Sequence, residues 1–113
     1  INYIRSVKNR HRVVYLISGS HQLLVNQISN HLNIFFESFG TKDNYNMVGK
    51  NKVRFINKKL NILEFDYLGN SHQDLPIWKY TKKIIYTNVS NNLKDTIESM
   101  QLETYEVKED FTK

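Results

Sequence analysis

The feature that most constrains this chain is the way its apolar residues switch between two spacings. Residues 13–17 (Val-Val-Tyr-Leu-Ile) form a continuous apolar run, the mark of a short strand covered on both faces. Leu24, Ile28 and Leu32 then recur every four residues and trace one side of a helix. Ser20 is placed to cap that helix and Asn33 to close it. Before the run, Ile4 and Val7, with Ile1 and Tyr3, suit a helix ending near Asn9. After it, residues 34–36 begin a second strand and residues 40–46 read as a polar loop. Val53, Ile56 and Leu60 predict a helix over residues 50–60, and residues 65–68 a third strand. A short helix over 74–81 tolerates Pro76 in its first turn. A fourth strand over 83–89, a helix on Leu93, Ile97 and Met100, and an edge strand over 103–108 complete the pattern. Strands alternating with helices predict βαβ units, hence an α/β fold with a mostly parallel sheet.

Composition narrows the classes of function. A chain of 113 residues, 40% apolar and 24% charged, has the size and balance of one globular domain. Its apolar runs fall far short of the roughly 18 residues that a membrane span needs. There is no cysteine, which excludes disulfides and thiolate metal sites and suits a reducing cytoplasm. The net charge of +5 invites a nucleic-acid reading. The lysines are scattered, however, and the clusters Arg10–His11–Arg12, Lys58–Lys59 and Lys82–Lys83 stand in no recognition motif. The many Lys, Asn, Ile, Tyr and Phe residues match the codon bias of an AT-rich genome, so no nucleic-acid partner is expected.

In an open parallel sheet, ligands gather beyond the carboxyl ends of the strands, and three polar sites fall there. At Ser18–Gly19–Ser20–His21, a strand runs into a helix with a hydroxyl, a glycine and helix-start amides, a small anion cradle. Taken alone, this is as well explained by a helix cap and a tight turn. At Gly49–Lys50–Asn51–Lys52, a lysine opening a helix can neutralise a phosphate, although a solvated helix start explains it equally. At Gly69–Asn70–Ser71–His72–Gln73–Asp74, oxygen donors at Asn70 and Asp74 flank a strand-to-helix turn and suit Mg²⁺, or else an Asx turn and a cap.

In their order and spacing the three sites resemble the motifs of the haloacid-dehalogenase superfamily of phosphohydrolases and phosphotransferases. The stretch Phe65–Asp66–Tyr67–Leu68–Gly69–Asn70–Ser71, with Trp78 and Asn88, is similar to the phosphatase-like domain found ahead of some bacterial membrane prenyltransferases. The resemblance implies a Rossmann-like core, with residues 1–113 as the C-terminal part of a single domain. It makes Ser18 and Gly19 phosphate-binding, Lys52 the phosphate-binding and catalytic lysine (Lys50 in a less favoured register), Asp74 catalytic, and Asn70 and Asp74 the Mg²⁺ ligands. Two departures stand out. Asn70 occupies the place of a family aspartate, so Mg²⁺ should bind weakly or not at all. The Asp-x-Asp strand that supplies the family's nucleophile is absent, the aspartates being only Asp43, Asp66, Asp74, Asp95 and Asp110. Covalent phosphoryl transfer needs an activated nucleophile, so this chain alone should be inactive.

These readings leave three expectations. The first is a Mg²⁺-dependent phosphatase core, acting on a phosphorylated small molecule once completed by a missing N-terminal segment or a strand-exchanged second copy. The second is a catalytically inactive module that binds phosphate or a partner, and the last is a small basic nucleic-acid-binding domain. The resemblance also implies a cytoplasmic domain tethered to a membrane domain following Lys113.

Overall fold

The computed structural model describes residues 2–10, 12–42 and 45–108. The sequence expectations placed on Ile1, His11, Asp43, Asp110 and Lys113 lie outside the described residues. The chain forms two compact units, Ile1–Asn51 and Lys52–Lys113. Both are mixed α/β, and all strand pairing within the two small sheets is parallel. The expected single sheet is therefore seen as a pair β1–β2 and a separate sheet ordered β3–β4–β5.

In the first unit, helix α1 (Asn2–Asn9) precedes strand β1 (Tyr15–His21), helix α2 (Gln22–Leu32) and strand β2 (Glu37–Thr41). Both strands begin later than the apolar runs suggested, and β1 continues through the polar residues Ser18–Gly19–Ser20. The register explains this. Tyr15, Leu16 and Ile17 pair with Glu37, Ser38 and Phe39, then the register shifts before His21 meets Thr41, so the polar triplet bulges opposite Gly40. Helix α2 is capped by His21, whose side chain accepts from the Leu23 amide, and not by Ser20. Asn33 closes it in the left-handed conformation, as expected. The buried face of α2 carries Val25, whereas Leu24 and Ile28 stay largely exposed. Gly40 belongs to β2 rather than to a loop, and a Cβ there would sit 2.6 Å from the Ser20 carbonyl oxygen.

The second unit starts within helix α3 (Lys50–Arg54), which passes directly into a π-helical turn (Phe55–Lys59). The expected helix over 50–60 is thus present, with a wider final turn closed by a bond from the Leu60 amide to the Phe55 carbonyl. Val53 and Ile56 are buried as the pattern predicts. Strand β3 (Tyr67–Gly69) leads through a 3₁₀ turn (His72–Asp74) into helix α4 (Leu75–Trp78), a shorter helix than expected. Strand β4 (Lys83–Tyr86), helix α5 (Asn91–Ser99) capped by Ser90, and edge strand β5 (Glu103–Glu106) follow. The core of this unit is Trp78, Ile84, Tyr86, Leu93 and Ile97, with Tyr67, Leu75 and Met100 packed against it. Burying side chains of this size contributes about 1.5–3 kcal/mol each. Among the described residues, no helix is long and apolar enough to cross a membrane.

Candidate functional site

The residues with the most connected chemistry lie in the second unit, where β3 ends. Tyr67 is the first residue of β3, and its phenol oxygen stands between two charged groups. It accepts from the Lys52 ammonium at 2.9 Å and donates to Asp74 Oδ1 at 2.9 Å. The other carboxylate oxygen, Oδ2, accepts from the Asn70 amide at 2.8 Å and the Ser71 amide at 3.0 Å. Ser71 returns the favour through its side chain, so residues 71–74 form a capping box. Trp78, wholly buried, fixes the strand from behind by donating its indole N–H to the Tyr67 carbonyl at 3.0 Å.

Local sequence explains this arrangement. Gly69 is required because the Asp74 carboxylate crosses the backbone there, and a Cβ on residue 69 would lie 2.5 Å from both its Cγ and Oδ2. With the glycine in place, Asp74 turns back over the start of its own 3₁₀ turn and is only 8% exposed. A buried carboxylate needs donors on both oxygens, and it has them.

The electrostatics follow from burial. Desolvation pushes the Lys52 ammonium below the usual lysine range, with the Asp74 charge opposing that shift. The Tyr67 phenol is pushed well above its usual range, first by burial, then by the neighbouring Asp74 charge and the bond to it. Tyr67 therefore holds its proton, and Lys52 keeps ammonium hydrogens beyond the one given to the phenol. Such a group can bind an anion.

Of the residues expected from sequence, Lys52, Asn70 and Asp74 come together in this unit, although Asn70 takes part through its backbone amide. Lys50 is exposed, while Lys52 is half-buried. Ser18 and Gly19 lie in the other unit, within the β1 bulge. Ser18 Oγ accepts from the Ser20 amide at 3.1 Å, and the Gly19 carbonyl accepts from the Thr41 hydroxyl at 2.7 Å. With the Leu23 amide given to His21 Nδ1 at 3.1 Å, part of the anticipated anion cradle is used locally.

The Mg²⁺ that the family resemblance implies finds a poor donor set. Mg²⁺ asks for near-octahedral oxygen ligands. Here Asp74 is the one carboxylate of the turn, and its two oxygens already accept the three donors described. Among the described residues, no group of three or more His, Cys, Asp or Glu side chains gathers as a metal site would require.

Tyr67 is the residue that sequence reasoning overlooked. The available signal was a phenol inside an apolar strand, two residues ahead of a glycine turn that carries a lone carboxylate. Comparison of the chain with protein-family models, with curated proteins and with solved structures found no match.

Proposed function

We propose that this chain is a phosphate-holding core fragment of the haloacid-dehalogenase type, competent to bind a phosphorylated small molecule but lacking the nucleophile for turnover. The observation that carries the reading is the joining of Lys52 to Asp74 through Tyr67 at the end of β3. The motif resemblance pairs a lysine on one helix with a carboxylate after a later strand, and these are the residues that meet. In this reading Lys52 supplies the cation for phosphate, Asp74 fixes the lysine through the phenol, and Mg²⁺ adds little. A cysteine-free chain suits the reducing cytoplasm, where we place it.

The open strand edges favour completion by another strand. Among the described residues, within its own unit β1 pairs only with β2, and β3 pairs only with β4. Parallel sheets this small rarely stand alone, and an uncovered edge is a template for pairing. We propose that a segment bearing an Asp-x-Asp strand, or a second copy, supplies that pairing. The saturated Asp74 also favours a second reading, a binding module without catalysis.

The experiment is a phosphate titration followed by ³¹P NMR, with an aryl-phosphate turnover assay beside it. Weak phosphate binding that disappears in Lys52→Met, without turnover, supports the proposal. Adding a peptide with an Asp-x-Asp strand separates the readings, because gained turnover favours the phosphatase core and unchanged behaviour the binding module. Phosphate binding indifferent to Lys52→Met overturns both.

A further inference from the structure

Lys58 and Lys59 of the π-helical turn are exposed, but Lys52 is half-buried on the side of α3 that carries the buried Val53 and Ile56. Its amine is also held in place. The ammonium lies 2.9 Å from the Tyr67 phenol oxygen and 5.4 Å from the centre of that ring. The ring meets the buried Trp78 edge-on at 6.5 Å, and the Tyr67 carbonyl is tied to the same indole. Burial, opposed by the Asp74 charge, lowers the Lys52 ammonium and so enlarges its share of free amine, the nucleophilic form.

The phenol offers a route for the proton that a reacting amine must shed. Tyr67 accepts from Lys52 and donates to Asp74 Oδ1, both at 2.9 Å. A proton passed to the phenol oxygen therefore releases the phenol's own proton to the carboxylate, and the reverse transfer returns it. This is the layout of a general acid–base relay beside a nucleophile.

We propose that Lys52 is a nucleophilic amine that forms an imine with a small aldehyde or ketone, with Tyr67 and Asp74 as its proton relay. The nitrogen bonds to the carbonyl carbon as the carbon–oxygen π bond opens, giving a carbinolamine. The oxygen then leaves as water with two of the three ammonium hydrogens, one of them carried by way of the relay. Ammonium and carbonyl compound thus give protonated imine and water, with no change in charge. That balance selects a carbonyl over other electrophiles. Acylation would erase the positive charge that faces the buried Asp74 through the phenol, and a carbamate would reverse it, whereas a protonated imine keeps it. A neutral aldehyde carries no phosphate, so this chemistry stands apart from the phosphate reading.

The test is reductive trapping of the full chain with acetaldehyde and sodium cyanoborohydride near neutral pH, with the ethylated lysines located and timed by peptide mass spectrometry. Lys52 should be trapped about tenfold faster than Lys58 and Lys59, through its larger share of free amine and the relay beside it. Tyr67→Phe removes the relay and leaves the amine half-buried. Trapping at Lys52 should then fall about tenfold, with Lys58 and Lys59 unchanged and circular dichroism showing the fold intact. The comparison among lysines is made on the parent chain and decides even if the variant unfolds. Two results overturn the proposal: Lys52 trapped no faster than Lys58 and Lys59, or Lys52 trapped at the parent's rate in folded Tyr67→Phe.

Discussion

Replacing Tyr67 by phenylalanine removes one oxygen and nothing else, which makes it the sharpest probe of the second unit. Two hydrogen bonds are lost, one from the Lys52 ammonium and one to Asp74 Oδ1, each 2.9 Å long. Bonds to charged groups contribute about 1.5–3 kcal/mol each. The Lys52 share must be discounted, because its ammonium is only partly buried and can turn to water. The Asp74 share cannot, since that residue is 8% exposed and Oδ1 would keep no other donor among the described residues. The expected loss is therefore about 2–3 kcal/mol, most of it from the carboxylate side. The assay is urea unfolding followed by tryptophan fluorescence, because Trp78 is the only tryptophan, lies in the core and is bonded to the Tyr67 carbonyl. Tyr80→Phe, at an exposed phenol, serves as the control and should stay within about 0.5 kcal/mol of the parent. A Tyr67→Phe midpoint no lower than that of Tyr80→Phe would refute the argument that the phenol joins the two charges.

The same geometry sets the remaining expected outcomes. Gly69→Ala should cost more than Tyr67→Phe, about 3–4 kcal/mol in the same unfolding assay, because the new Cβ displaces the carboxylate from all three donors. In alkaline titration, the Tyr67 phenol should stay protonated beyond pH about 10, where free tyrosines ionise, so parent and Tyr67→Phe should show equal phenolate absorbance until unfolding. Since the raised phenol binds its proton more tightly when folded, stability should fall above pH about 10. The lowered Lys52 works in the opposite sense, adding stability as pH rises toward about 10.5, and that rise should be absent in Lys52→Met.

The succession of elements was legible in the sequence, because period alone separates strands from helices. Val53, Ile56, Leu93 and Ile97 are buried where helical spacing puts them. What escaped was decided by tertiary contacts. Leu24 and Ile28 formed the more regular stripe on α2, yet Val25 took the buried place, because the helix leans on the β1–β2 pair through Gln22 and Val25. The bulge in β1 was hidden because Ser18–Gly19–Ser20 has the composition of a turn. Only its mismatch with β2 shows that it continues the strand. His21 took the capping role expected of Ser20, since an imidazole nitrogen can accept an amide as a hydroxyl does. At the site, Lys52 and Asp74 could be picked out by residue type and order. Tyr67 could not, because a tyrosine in an apolar strand is ordinarily a core residue, and its hydroxyl partners are fixed only by the fold.

Asn70 and Asp74 are best understood together. A second carboxylate at position 70 would add like charge to the turn that holds the buried Asp74, and asparagine there avoids it. The remaining charge of Asp74 is met by the amides of residues 70 and 71 and by the Tyr67 phenol, with Lys52 behind the phenol. The Asp74 charge is thus met within its own unit, with the Lys52 ammonium reached through the phenol. The same lysine cannot serve both ends of this arrangement without consequence. On the proposed reading, an anion that draws Lys52 outward would weaken its bond to Tyr67 and loosen the support on Asp74, so phosphate binding and the stability of the turn would oppose each other. In Tyr67→Phe that opposition is removed, and Lys52 should hold phosphate as well as or better than in the parent while the unit itself unfolds more easily.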